Sequence, residues 1–221
     1  MSPDDMENSA AATSRWWQGE SAFELWVVLL MSATAVLTAW SGLQSSRWSS
    51  DVTAHNSRAA ALRTDASRLS SSADRQNQID VAAVLAWFDA VADGDEARAD
   101  FLRNRFRPDL QAAVDQWIAT DPLEDPDAPA TPFEMPAYTV QAAVDSERLQ
   151  EQAEAESMEA SRAGDRSDRY VLMTVIFAVV LFFAAMSSKL SSKAGRTLTF
   201  DLALAGVVLG AIVLALLPLK L

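Results

Sequence analysis

Three long apolar runs constrain what this chain can fold into more than any other feature. They occupy residues 23–43, 170–186 and 202–219, and the only charge within them is an early Glu24. A helix of about 20 apolar residues crosses the hydrocarbon core of a bilayer. We therefore predict three transmembrane helices, at residues 22–43, 170–187 and 199–219. The N-terminal tail, residues 1–21, is acidic and lacks the features of a signal peptide.

The stretch between the first two runs, residues 44–169, is strongly acidic. It carries 24 Asp and Glu residues against 13 Arg and no Lys, which gives it a formal charge of −11. Nucleic-acid binding depends on clustered Lys and Arg, so we predict no nucleic-acid partner. The chain has no cysteine, which excludes disulfides, thiolate catalysis and cysteine-ligated metals.

The two ends of this insertion have the pattern of long helices. After the first run, small and apolar residues step by three and four at Ala59, Leu62, Ala66, Leu69 and Ala73. Residues 138–169 lead into the second run without a proline. Two helices that each continue into a span must be antiparallel. The predicted fold class is an all-α membrane protein, with three transmembrane helices and a long antiparallel, coiled-coil-like helical hairpin between spans one and two.

A small helical cap is predicted at the far end of the hairpin, over residues 79–119. Its inward residues are expected to be Val84, Trp87, Phe88, Val91, Phe101, Leu102, Phe106, Leu110, Val114, Trp117 and Ile118. Gly94 should break the first cap helix, Asp95 should cap the second, and Pro108 should begin the third. The proline-rich residues 121–137 form an extended crossover. We expect the cap to cover its apolar side chains, including Leu123.

Three strings resemble a family of uncharacterised bacterial membrane proteins: "TAWSGLQSSRW", "FLRNRFRPDLQAAVDQWIATDPLEDPDAPATPFEMPAY" and "DRSDRYVLMTVIFAVVLFFAAMSSKL". Together they cover about a third of the chain. The family has one span, a helical insertion and two closing spans. The resemblance implies this architecture and carries no activity with it.

The junction between the first span and the insertion is the first candidate site. Trp40 and Trp48 are placed to set the depth of the helix in the bilayer, because amphipathic aromatics favour the interface. Gly42 permits a close neighbour, and Gln44 lies beside it. On the returning helix lie Asp168 and Arg169.

Charged residues of the two helices should meet at this junction if the helices are antiparallel. We predict contact between Arg47 and Asp168, and a second contact between Asp51 and Arg169. The alternative is that each side chain meets headgroups and water, where an ion pair contributes little.

Two further features of the spans indicate helix packing. Gly206 and Gly210 form a G-x-x-x-G face in the third span, which permits close approach of a helix of the same chain or of a second copy. Thr34, Thr38, Ser41 and Ser45 form a hydroxyl stripe on the first span. Such a stripe serves helix contacts, or it lines a pore if several subunits turn it inward.

No catalytic, cofactor or metal site is predicted. His55 is the only histidine and lacks a neighbouring nucleophile turn, and no glycine-rich phosphate loop is present. The acids after Asp93 resemble a fragment of a calcium loop, but the twelve-residue pattern is absent. We therefore expect a protein that is not an enzyme.

The resulting hypothesis is a non-enzymatic, homo-oligomeric scaffold or accessory protein of the bacterial inner membrane. Its partners would be the lipid bilayer and a protein that contacts the helical cap. The alternative is a small oligomeric channel whose first span lines the pore. Seven Lys and Arg residues flank the spans on the hairpin side and four on the other, which favours a cytoplasmic hairpin. The purely basic loop between spans two and three argues against this orientation.

Overall fold

The computed structural model describes residues 3–220, and the side chains of residues 22–220. The described residues form five α-helices and one short 3₁₀ turn, with 82% helix and no strand. The helices are α1 (Pro3–Ala92), α2 (Glu96–Arg103), α3 (Pro108–Ile118), α4 (Gln141–Ser187) and α5 (Lys193–Leu216), and the 3₁₀ turn is Pro132–Glu134. Three helices, α1, α4 and α5, are long and apolar enough to cross a membrane. The predicted all-helical class is confirmed, and the predicted number of helices long and apolar enough to span is confirmed as three.

Helix α1 ends in a glycine-dependent Schellman motif. No proline occurs between residues 4 and 107, so the backbone hydrogen bonds of α1 continue without a break for 90 residues. Gly94 has a φ of +68°, a conformation that costs little only for glycine. The Asp95 amide donates to Ala90 O and the Gly94 amide to Val91 O, which satisfies two carbonyls of the last turn. The predicted break at Gly94 is confirmed.

The chain divides into two compact units. The first comprises Met1–His55 and Met158–Leu221, and it contains the apolar segments of all three long helices. The residues of these helices that are buried inside the unit recur at intervals of three, four or seven: Val27, Leu30, Thr34, Ser41, Gln44 and Trp48 in α1; Tyr170, Met173, Phe177, Val180 and Ala184 in α4; Ala203, Gly210 and Leu214 in α5. The other faces expose large side chains, such as Leu25, Leu172 and Leu209. Outward apolar faces are what lipid contact requires.

The second unit, Asn56–Ser157, has two packed regions. In the first, small residues of α1 and α4 are buried at Ala59, Ala66, Ala73, Ser146 and Ala153. In the second, a core forms from Val84, Trp87, Ala90, Ala99, Phe106, Leu110 and Val114. We call this second region, residues 79–138, the cap. Asp95 accepts the Arg98 amide and Pro108 occupies the first turn of α3, so both predicted helix starts are confirmed.

Four predicted core positions of the cap are wrong. Val91, Phe101 and Ile118 are exposed, and Leu123 is 98% exposed instead of being covered by the cap. The core of the cap instead includes the small side chains of Ala90 and Ala99, and their larger neighbours Val91 and Phe101 point outward.

Candidate functional site

The predicted junction residues Gln44 and Arg47 bind the backbone of residue 220. Gln44 is fully buried. Its Nε2 donates to Lys220 O at 3.1 Å, and its Oε1 accepts the Lys220 amide at 3.1 Å. Arg47 Nη1 donates to the same carbonyl oxygen at 2.7 Å. The backbone N–H and C=O of Lys220 lie beyond the end of α5 and have no partner in that helix. Side chains of α1 bind them instead.

Three more side chains complete this junction, which we call the collar: Gln44, Arg47, Trp48, Asp51 and Tyr170. The Tyr170 hydroxyl donates to Pro218 O at 3.0 Å. The Lys220 ammonium forms an ion pair with Asp51 and lies 5.5 Å from the centre of the Trp48 ring. The Arg166 guanidinium lies 4.7 Å from the same ring. The Trp48 ring therefore makes cation–π contacts with both Lys220 and Arg166.

The predicted ion pairs of the junction are wrong. Arg47 contacts Lys220 instead of Asp168, and Asp51 pairs with Lys220 instead of Arg169. Asp168 and Arg169 are exposed, because the buried positions of α4 at this level are Ser167 and Tyr170. The residue that contacts Arg47 and Asp51 therefore comes from the end of the third span. The sequence had assigned these contacts to the start of the second span. Sequence reasoning did not include Tyr170 and Lys220 in the junction. The only signal in the sequence was that each carries a polar group and lies at the end of an apolar run.

The other two junction residues, Trp40 and Gly42, are exposed. Trp40 is 38% exposed. A Cβ atom added at Gly42 would meet no atom within 4 Å among the described residues. Both therefore face outward from the first unit, as a tryptophan at the membrane interface does.

The hydroxyl groups of the stripe on the first span form hydrogen bonds within the chain. Thr34 and Ser41 are fully buried and donate to Leu30 O at 2.7 Å and Leu37 O at 2.9 Å. Ser45 lies 3.1 Å from the hydroxyl of Ser167 on α4. Donation to the helix's own carbonyls satisfies Thr34 and Ser41 without water, and Ser45 is partnered by Ser167.

The G-x-x-x-G face packs against α4 of the same chain. A Cβ at Gly206 would lie 2.6 Å from Val180 Cγ2, and a Cβ at Gly210 would lie 2.6 Å from Phe177 Cε1. Real Cβ atoms do not approach so closely, so an alanine at either position would require Val180 or Phe177 to shift. Of the two packing alternatives, contact within the chain is the one that the structure contains.

A buried polar network in the cap was missed by sequence reasoning. Asp80 is 3% exposed and accepts three hydrogen bonds, from Gln76 Nε2 at 2.9 Å, Arg107 Nε at 2.7 Å and the Tyr138 hydroxyl at 3.0 Å. Arg107 also donates to Thr139 O at 2.7 Å. A buried charge is stable only when it is paired and hydrogen-bonded. The network therefore fixes α1, the start of α3 and the start of α4 in one arrangement.

The protonation states of Tyr138 and Arg107 suit a structural role better than proton transfer. Burial raises the pKa of the Tyr138 phenol and the hydrogen bond to Asp80 raises it further, so the hydroxyl stays protonated and donates. Burial alone would lower the pKa of Arg107, but its hydrogen bonds to Asp80 and Tyr138 outweigh burial and raise it. Both groups hold their protons at neutral pH.

An open apolar groove of about 620 Å³ lies in the cap, and we call it the cap groove. The end of α1, the end of α3 and the start of the crossover form its walls. Its lining residues are Trp87, Phe88, Val91, Ala92, Trp117, Ile118, Asp121, Pro122, Leu123 and Glu124. Three of the four wrongly predicted core residues, Val91, Ile118 and Leu123, are among them.

Comparison with known proteins does not extend this description. No protein-family model, curated protein or solved structure matches the chain. The resemblance to the three-span bacterial family consequently stays a prediction. The function has to be argued from the collar, the buried network and the cap groove.

Proposed function

We propose that this protein is a non-enzymatic integral membrane scaffold that presents its acidic helical cap to a protein partner. The observation that carries the proposal is the cap groove. Val91, Ile118 and Leu123 expose 51%, 38% and 98% of their surface around one depression. A contiguous apolar patch rimmed by polar residues is typical of a protein–protein docking site.

The proposed scaffold has an antiparallel helical hairpin as its extramembrane part. Contacts inside the second unit support this arrangement. Arg63 Nη2 donates to Ser157 Oγ at 2.6 Å, and Ser146 Oγ donates to Ala66 O at 2.9 Å. Later residues of α1 thus pair with earlier residues of α4, as antiparallel helices do.

The proposed location is the bacterial inner membrane, with the hairpin on the cytoplasmic side. The excess of Lys and Arg on the hairpin side of the spans supports this orientation. Homo-oligomerisation is part of the proposal. It is supported by Val144 and Met158, two apolar side chains of α4 that expose 47% and 57% of their surface.

The burial of the hydroxyl stripe favours the scaffold over the channel. A pore-lining hydroxyl needs an open path to water, whereas Thr34 and Ser41 are fully buried and donate to backbone carbonyls. The polar groups that suggested a pore therefore already have partners within one chain.

Site-specific photo-crosslinking in intact cells tests the proposal. With benzoylphenylalanine in place of Leu123, we expect a discrete adduct with one protein, and mass spectrometry should map the crosslink to a single segment of it. The matched control is the same substitution at Phe101, which is also exposed on the cap but does not line the groove. No adduct at Leu123, or the same adducts at both positions, would defeat the scaffold proposal.

A further inference from the structure

We infer that the cap groove binds a basic amphipathic helix of the partner protein. This inference rests on the proposed function and adds the chemistry of the partner to it. Three properties of the groove support this inference. They are a rigid aromatic floor, exposed apolar side chains at the edge, and acidic side chains that form no ion pair among the described residues.

The floor of the groove is preorganised. Phe88 and Trp117 make an edge-to-face contact with ring centres 5.5 Å apart. Trp117 Nε1 donates to Pro129 O at 2.7 Å, which fixes the indole and ties the crossover to α3. A rigid aromatic surface loses little entropy when a ligand binds. It is suited to the apolar side chains that an amphipathic helix presents at every third and fourth position.

The charge of the groove selects a cationic partner. Asp121 and Glu124 line it, and neither belongs to an ion pair among the described residues. Asp121 has a φ of 50°, and its carbonyl accepts the amides of Glu124 and Asp125 at 2.9 Å, so a fixed turn holds the acids at the rim. Residues 108–147 contain nine acids and no Lys or Arg.

This charge also argues against other occupants. An anionic lipid surface or a nucleic acid would be repelled by the rim. The tail at residues 1–21 carries four acids and one Arg, so its charge does not complement the groove. A helix with Lys or Arg on its polar face satisfies both the apolar floor and the acidic rim.

The test uses the full-length protein in a neutral detergent and a fluorescent peptide. The probe is an amphipathic peptide of about 18 residues, long enough for five helical turns, with Leu on one face and Lys elsewhere. One control peptide replaces every Lys by Glu, and another scrambles the Leu and Lys positions. From fluorescence anisotropy corrected for empty micelles, we expect the probe to bind at least ~10-fold tighter than either control, and more weakly at high salt.

Variants of the protein assign the binding to the groove. Asp121→Asn with Glu124→Gln removes the rim charge, and asparagine tolerates the conformation of residue 121. This pair should weaken binding ~3–10-fold and reduce its salt dependence. Leu123→Ser removes an apolar side chain of the groove without adding charge and should also weaken binding, whereas the matched Phe101→Ser should have no effect.

Two results overturn the inference. One is equal binding of the Lys and Glu peptides, and the other is equal loss of binding in Leu123→Ser and Phe101→Ser. The failure of the inference is distinguishable from that of the scaffold proposal. A protein adduct at Leu123 together with no preference for the Lys peptide leaves the scaffold and removes only the basic helix.

Discussion

Asp80→Ala is expected to lower the free energy of unfolding of the cap by about 3–5 kcal/mol, the usual cost of breaking a buried ion pair from one side. The carboxylate is 4% exposed and holds both the guanidinium of Arg107 and the hydroxyl of Tyr138. Its removal leaves Arg107 partly buried without its main partner. Arg107 Nη2 is already buried without a hydrogen-bond partner among the described residues, and the guanidinium would keep only Asp109 and Thr139 O as acceptors, both on Nη1.

Hydrogen exchange read by mass spectrometry measures this effect in each unit separately. In Asp80→Ala, protection of the amides in α3 should fall by on the order of a hundredfold or more, while the apolar part of α4 is unchanged. Asp109→Asn is the matched control, because Asp109 contacts the same guanidinium at 2.7 Å but is 54% exposed. Its cost should stay below about 1 kcal/mol. Equal losses of protection in both variants would show that the buried network does not hold the cap together.

Gly210→Ala is expected to destabilise the packing of the spans by about 1–3 kcal/mol, the range for overpacking a tight interior. The new methyl carbon would lie 2.6 Å from Cε1 and 3.0 Å from Cζ of Phe177. Phe177 is fully buried, so the ring cannot turn aside without moving its neighbours. The effect follows from contact inside one chain and does not require a second copy.

The midpoint of thermal unfolding of the purified protein measures this change. Gly42→Ala is the matched control, since it makes the same substitution in a span helix where a Cβ meets nothing within 4 Å. It should be neutral or stabilising by about 0.5–1 kcal/mol, because alanine loses less backbone entropy in a helix. A midpoint for Gly210→Ala that equals that of Gly42→Ala would contradict the packing of α5 against α4.

Features set by neighbouring residues could be predicted from the sequence. The break at Gly94, the cap at Asp95 and the helix start at Pro108 each depend on one residue and the few that follow it. The three spans follow from composition alone. These signals act over a single turn or a single helix, so no knowledge of packing is needed.

Features set by packing could not be predicted. The partners of Asp80 lie 27 and 58 residues away at Arg107 and Tyr138, and nothing in the sequence links them. At the collar, the sequence places Asp168 and Lys220 at comparable heights. Which of them meets Arg47 depends on how three helices rotate about their axes.

The cap groove illustrates the same limit. Val91 and Ile118 fall on predicted apolar faces, but each lies in the last turn of its helix. Whether a residue at a helix end is buried depends on the segments packed beside it. In the cap the buried positions are Ala90 and Ala99, and the larger Val91 and Phe101 lie at the surface.

The central proposal is a topology with three transmembrane helices and a cytoplasmic acidic insertion. The chain has no cysteine, so single cysteines at Ser71, Ser191 and Leu29 can be labelled with a membrane-impermeant maleimide. In intact spheroplasts the account predicts labelling at residue 191, labelling at residue 71 only after permeabilisation, and none at residue 29. Labelling of residues 71 and 191 from the same side of the membrane would contradict the three-span arrangement, and the reverse pattern would contradict the cytoplasmic placement.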